Sequence, residues 1–445
     1  MKNQYKTMIN VIAVIDIGKT NKKIFLFDEG FNVVSQNSIQ FKEITDEDGF
    51  PCDDINSIEN WIKNQIEEIQ TIGKFRIKAI NFSTHGASLV YLNKEGERIM
   101  PLYNYLKPLD LKEFDGLYNS NEGVDEFSRK TASPAYGMLN TGLQMLSIKK
   151  SKPKLWKQVA SILHYPQYLS YLFSNKITAD FTSVGAHTAT WDFDTMQYHK
   201  WLSEENINLP EPCKGNEATI VDVNGEEIAI GTGLHDSSSS IIPILEQEKN
   251  KDFVLLSTGT WIIAMNPFSK ETLTQHQLKH NCLCFMTPEK QQVKSSMQFL
   301  GRIHEVYLKS LSDYFNVSID RHLDLELNKT LCLEMIDQNA QVFLSEGIDT
   351  DFEAHNEYLQ KFLSYETAYY QLVYEISKKV VAGLDLISDE NATFSNVFIS
   401  GGFNKNEMFI NFLTLLKENI TIKISDCKNE SALGAALLMK KYFKK

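Results

Sequence analysis

The chain has 445 residues, 42% hydrophobic and 23% charged, the balance of an ordinary globular protein with room for two domains of roughly 200 residues each rather than one core. Its net charge of −12 argues against a nucleic-acid or anionic-membrane partner, because either favours a basic face. The six cysteines are scattered, and the one close pair, Cys282 and Cys284, lacks a second cluster at metal spacing, so free thiols in a reducing cytoplasm are expected.

The first element is a hairpin. Val11 to Asp28 (VIAVIDIGKTNKKIFLFD) holds two apolar, β-branched runs, too short for helices, joined by a Gly-Lys-Thr-Asn turn. Asp16 interrupts the first run far short of the roughly 20 apolar residues a bilayer requires, so no membrane segment is expected here. The same design returns at Phe253 to Pro267 (FVLLSTGTWIIAMNP). A chain that builds it twice is most simply two copies of a nucleotide-binding half-fold facing each other across a cleft. In each turn a glycine, Gly18 or Gly259, lets phosphate approach the main chain, and Thr20, Asn21, Thr258 and Thr260 add side-chain donors. A P-loop does not fit. Ala13 stands where that motif needs its first glycine, and Lys23 to Phe27 continues as strand. Asp16, beside the turn, would be repelled by phosphate unless Mg²⁺ lay between them, so it is a candidate magnesium carboxylate. Lys23, across the turn, is placed to neutralise phosphate.

Helical spacing follows over Ile58 to Ile69, and Ile77 to Phe82 returns to strand before Ser83-Thr84-His85-Gly86-Ala87. Functional groups of open sheets gather at such strand ends, and His85 suits a sugar hydroxyl. A strand over Ser88 to Leu92 precedes a mostly helical middle, Ala135 to Leu172, whose Lys149, Lys150, Lys152 and Lys154 read as a solvated loop. His187 and Trp191 lie in a polar stretch (TSVGAHTATWD) suited to a sugar's hydroxyls and apolar face. A strand over Ile228 to Leu234 then leads through Gly231 and Gly233 into His235-Asp236, opening a helix. Asp236 reads as an N-cap or as the base that takes a proton from a hydroxyl attacking a γ-phosphoryl group. The charged stretch Glu246 to Asp252 marks the boundary between domains 1–245 and 246–445. Beyond the second hairpin come a long helix over about Tyr358 to Ile387, a strand at Asn396 to Ile399, the pair Gly401-Gly402, a helix from near Asn406, and a closing helix rich in small residues, Glu430 to Met439.

In this order the motifs resemble the FGGY carbohydrate kinases, of the actin, heat-shock-protein and sugar-kinase superfamily. Asp16-Ile17-Gly18-Lys19-Thr20-Asn21 is similar to the family's first phosphate motif, with Lys19 in place of the usual Thr or Ala. Thr84-His85-Gly86 resembles a sugar-contact segment of xylulokinases, and Asp180 to Ser183 the segment after the family's helical middle. Gly233-Leu234-His235-Asp236 resembles the fuculokinase and rhamnulokinase segment whose Asp is the base. Ser257 to Trp261 is similar to the second phosphate loop, and Gly401-Gly402 with Lys405-Asn406 to the adenosine motif, with Phe403 where a third glycine is common. The resemblance implies an α/β protein of two ribonuclease-H-like domains around a central cleft, sugar in the first and adenosine in the second. It implies ATP and Mg²⁺ as cofactors, Thr84, His85, Gly86, His187 and His235 against the sugar, and Asp236 as base. A ketose or 6-deoxyketose is the expected acceptor. Two departures touch the sugar side: Tyr103 to Pro108 lacks the acid and arginine of many relatives, and no glycine-rich segment is recognisable around Gln292 to Gly301. The alternative is a nucleotide-driven conformational switch without kinase activity, and a homodimer is left open. A serine-hydrolase reading of the Ser237 to Ser240 run is weaker still, since no Gly-x-Ser-x-Gly elbow occurs.

Overall fold

The computed structural model describes residues 8–444 except 224, 250, 345–353, 355, 390–393 and 426. Two mixed sheets organise them. The seven-stranded first sheet runs Ala218–Val223, Glu226–Gly231, Phe75–Thr84, Ile9–Ile17, Lys22–Phe27, Val33–Ile39, with Leu234–His235 also beside Phe75–Thr84. The six-stranded second sheet runs Cys282–Met286, Gln292–Gln298, Ile262–Asn266, Phe253–Thr258, Asn396–Gly401, Thr421–Ile424. Each changes direction at the same place. Ile9–Ile17 pairs antiparallel with Lys22–Phe27 and parallel with Phe75–Thr84. Phe253–Thr258 pairs antiparallel with Ile262–Asn266 and parallel with Asn396–Gly401. The duplicated α/β half-fold expected from the two hairpins is present.

The unbroken apolar run of the first strand follows from cover on both faces. Val11, Ala13, Ile15 and Ile17 join a cluster with Ile58, Ile62 and Ile66 of the helix Ile55–Ile72 and with Tyr165 and Leu169 of the helix Tyr165–Ser174. Ile12 and Val14 point the other way, onto Ala432, Ala435 and Ala436, as the two-residue period of a strand requires. Each fully buried Ile or Val contributes on the order of 1.5–3 kcal/mol. The small side chains of the closing helix Glu430–Leu438 therefore serve to pack it under the first sheet, where Asn81 Nδ2 donates to Ala435 O at 2.9 Å. In the opposite sense, Phe181, Val184, Trp191 and Phe193 belong to the core of the second half.

Several local expectations differ. The long helix spans Tyr365–Leu386 rather than starting at 358, because Ser364 caps it, accepting from Thr367 N, and Asn356–Lys361 is a separate 3₁₀ turn. The helical middle contains a strand, Ser161–His164, antiparallel to Leu89–Leu92. Lys149 and Lys150 end the helix Thr141–Ser151 instead of lying in a loop, and Lys149 binds Glu205 at 2.7 Å. The charged boundary stretch is partly helical, since Ile242–Gln247 takes in Glu246. All six cysteines are free, and no helix among the described residues is long and apolar enough to cross a membrane.

Candidate active site

Parallel pairing of Leu234 with Ser83 and of His235 with Thr84 brings two strand ends to one edge, so that His85 and Asp236 follow side by side. Asp236 is not the N-cap. His235 holds that position without a side-chain bond to the helix's backbone N–H groups, and Asp236 is the first residue of the helix Asp236–Ser240. Its local bonds fall on Oδ1, which accepts from Ser237 N at 2.6 Å and Ser237 Oγ at 3.3 Å. The side chain is 33% exposed. Desolvation raises its pKa above 3.8, against the pull of His85 and Ser237. A carboxylate held this way is a better base than a free aspartate.

Asp16 lies near the end of Ile9–Ile17, opposite Lys23 and beside Ser83. Its pKa is also raised, first by burial and then by the charge of Asp236, while Ser431, Ser83 and Lys23 oppose the shift. Ser431 Oγ, from the closing helix, donates to Asp16 Oδ1 at 3.2 Å. Two carboxylates that repel each other beside the first glycine turn suit a divalent cation such as Mg²⁺, which is usually held by one or two carboxylates. Gly18 closes that turn by donating its N–H to Asn21 O at 3.0 Å, leaving Thr20 and Asn21 exposed at the tip.

His235 is buried, stacked on Phe285 of the second sheet with ring centroids 5.8 Å apart and an interplanar angle of 17°. His187 meets the same Phe285 edge-on at 6.1 Å and His235 at 6.4 Å. Burial pushes His235 down to about 4 and His187 to about 3, so both are neutral at pH 7. Gly86 lets the His235 ring lie close, since a Cβ there would stand 3.0 Å from it, tighter than ordinary contact. Trp191, by contrast, is core, 3% exposed and packed on Phe181 and Tyr198.

The second turn opens onto a cavity of about 690 Å³, the size of a small-molecule site. Thr258, Gly259, Thr260, Gly402, Phe403, Lys405 and Asn406 line it, together with Gly301, His304 and His322. Thr258 is buried, and its hydroxyl is committed: it donates to Ser400 O and accepts from Phe403 N at 3.0 Å. It thus ties the turn to the Gly401-Gly402 loop, and Thr260 is the turn's exposed hydroxyl. Gly401 adopts φ +85, ψ −156, a glycine-only conformation. Asn406 caps the helix Glu407–Leu416 through Phe409 N at 3.0 Å and donates to Tyr369 OH at 2.8 Å, so it holds the cavity wall. His304, pushed to about 3 by burial and by His322, lies 3.2 Å from the same hydroxyl and 4.7 Å, ring to ring, from Phe403. Sequence reasoning missed His304, His322 and Gly301. Only Gly301 left a signal, a glycine at a strand-to-helix junction after the second turn.

Two ribonuclease-H-like halves meeting at a carboxylate-bearing edge and a glycine-lined cavity place the chain in the actin and sugar-kinase class of folds. Residues 11–242 match the FGGY family of carbohydrate kinases, N-terminal domain, and the chain belongs to that family. It is 22% identical over 268 residues to a rhamnulokinase of Halalkalibacterium halodurans, covering 57% of this chain and 55% of that one. A rhamnulokinase of Oceanobacillus iheyensis is 24% identical over 272 residues, covering 56% and 54%. The chain thus spans about half the length of the curated relatives it matches. In fold it is similar to a carbohydrate kinase from Novosphingobium aromaticivorans, with TM-score 0.80, 17% identity and coverage of 96% and 91%. It is also similar to a xylulose kinase from Lactobacillus acidophilus, with TM-score 0.76, 16% identity and coverage of 98% and 90%.

Proposed function

We propose that this protein transfers the γ-phosphoryl group of ATP to a hydroxyl of a sugar, a ketose or 6-deoxyketose. The observation that carries the reading is the pairing of Asp236 with Asp16 at one edge of the first sheet, both raised in pKa, together with a cavity of about 690 Å³ behind the second turn. The rhamnulokinase relatives support the choice of acceptor.

The acceptor hydroxyl lies against Asp236, which takes its proton as the oxygen attacks phosphorus. Neutral His235 and His187 offer one ring donor or acceptor each to neighbouring hydroxyls without adding charge. The glycines of the two turns admit the phosphates, Lys23 neutralises charge beside the first turn, and the Gly402 to Asn406 wall holds the adenosine. Asp16 would hold Mg²⁺, which neutralises phosphate charge when bound. Phe285, reaching from the second half onto His187 and His235, excludes water as the halves close. A base and an acceptor pocket are of no use to a nucleotide-driven switch, and this favours the kinase. Six free thiols suit a reducing cytoplasm.

The deciding experiment is a coupled ADP assay over a panel of ketoses and polyols. Release that depends on one sugar and is lost in Asp236→Asn supports the proposal. Release indifferent to every acceptor refutes it.

A further inference from the structure

The strand Lys22–Phe27 opens with a lysine that is 1% exposed. Its ammonium donates to Lys19 O at 2.8 Å and to Asp53 Oδ1 at 3.1 Å, and Asp53 is itself 8% exposed. A buried ion pair of this kind seldom stabilises a fold better than apolar side chains of like volume, so a second use is to be sought, and the other oxygen of Asp53 supplies it. Oδ2 lies 3.7 Å from Lys19 Nζ and 3.9 Å from His85 Nε2, both beyond hydrogen-bond reach.

His85 Nδ1 is 3.0 Å from Gly86 O, which only accepts, so Nδ1 carries the proton. Burial lowers the pKa of this imidazole below 6.5, leaving it neutral with a lone pair on Nε2. That nitrogen is shielded from solvent and has no partner among the described residues. Two acceptors therefore face each other across a gap that holds no donor, beside a lysine able to donate. The gap is preorganised. Lys107 clamps the preceding loop through Asp46 at 2.5 Å and Asp48 at 2.6 Å, Lys152 binds Glu47 at 2.8 Å, and Asp53 forms a β-bridge with Leu102. The rings of Tyr105 and Tyr165, each centred 5.8 Å from that of His85, supply apolar walls.

We propose that Asp53, Lys19 and His85 form a seat for two adjacent hydroxyls of a neutral polyol, one donating to Asp53 Oδ2 and the other to His85 Nε2, while Lys19 donates in return. Calling that polyol the phosphoryl acceptor rests on the kinase reading; the seat itself does not. Lys19 and Lys22 are balanced by Asp53 and by Glu43, 2.7 Å from Lys19, so the seat gains nothing from an anionic sugar acid. Asp53 is thereby a specificity-determining residue, and the vicinal diol is what it selects.

Calorimetric titration of the full chain, without nucleotide, with ketopentoses, ketohexoses and their mono-deoxy analogues tests this, with ADP release assayed in parallel. The best ligand is expected to lose about 10- to 100-fold in affinity when the hydroxyl seated on the Asp53 carboxylate is removed, the worth of a hydrogen bond to a charged group, and about 2- to 10-fold when the one on neutral His85 is removed. In Asp53→Asn, deletion of the Asp53-bound hydroxyl should cost less than about 3-fold, since the charged partner is gone. Should that variant fail to fold around an unpaired ammonium, the double variant Asp53→Asn with Lys22→Met leaves no buried charge and carries the same expectation. Equal penalties in variant and wild type, or no polyol binding at all, overturn the seat. Binding with the expected penalties but without ADP release upholds the seat and overturns the kinase reading.

Discussion

Gly301 is the second residue of the helix Leu300–Phe315 and presses its bare Cα onto the second turn. A Cβ there would stand 1.8 Å from Gly259 O, whereas real Cβ atoms essentially never come closer than 3.0 Å, so Gly301→Ala demands a shift of 3.0 − 1.8 = 1.2 Å. Backbone lies on both sides of the clash, and Arg302 N donates to Thr260 O at 3.0 Å, so the displacement passes into the turn rather than into a pliable side chain. Misplacing a positioning group by about 1 Å costs on the order of 100-fold in rate, and overpacking costs about 1–3 kcal/mol of stability. Initial rates at varied ATP and fixed acceptor, with a thermal melt of each protein, measure both. The expected result is a roughly 100-fold fall in kcat/KM for ATP and a lower Tm, with acceptor affinity in the absence of nucleotide unchanged. A folded Gly301→Ala protein that handles ATP like the wild type would show that phosphate does not sit at this turn, and the cavity would lose its nucleotide.

Asp236→Asn should lower kcat by about 10²- to 10⁴-fold, the worth of a general base, and yet raise the melting temperature of the unliganded protein. The folded pKa values of Asp16 and Asp236 both lie above 3.8, so the folded state binds protons more tightly than the unfolded one, and stability falls as pH rises through the raised values. At pH 7 the amide removes one of the two repelling charges; a lower Tm would contradict the mutual repulsion. The acid limb of kcat/KM should titrate above 3.8 because the base works only when deprotonated, and a limb at or below the ordinary aspartate value would count against Asp236. Asn406→Ala removes a helix cap and the bond to Tyr369 OH, for a loss of about 2 kcal/mol in denaturant unfolding. An unchanged midpoint would mean that neither bond holds the cavity wall.

What the chain disclosed in advance is what is encoded locally. The two hairpins were legible because their strands are covered on both faces and so read as unbroken β-branched runs around a glycine turn. Asp16, His85 and Asp236 stood out as candidates because each lies at a strand end, Asp16 one residue before the close of Ile9–Ile17 and the other two directly after theirs. The hidden parts depend on partners far along the chain. Strand alternation turns either Lys22 or Lys23 inward, and nothing short of Asp53, 31 positions away, reveals that the buried one is Lys22. Thr258 looked like a phosphate donor because the distant Ser400 and Phe403 that occupy its hydroxyl could not be placed. The start of the long helix was misread for a nearer reason: Ser364 was passed over as a cap within an apolar periodicity that continues on both sides.

The duplication also gives one half-fold two unlike strand ends. Phe75–Thr84 and Asn396–Gly401 occupy equivalent positions, each parallel to the first strand of its hairpin. Past the first, the chain turns with His85 N bonded to Ile17 O at 3.0 Å, and an imidazole fills the crevice. Past the second it turns with Phe403 N bonded to Thr258 Oγ1, and Gly401 and Gly402 leave bare backbone. Polar side chains at the first end can select among hydroxyls, while exposed main chain at the second admits a larger, flatter ligand. The closing helix joins the two ends: Glu430 lies 3.4 Å from Ser400 Oγ in the glycine loop, and Ser431 donates to Asp16. The glycine loop and Asp16 thus contact neighbouring residues of one helix, whose alanines let it lie close under the first sheet.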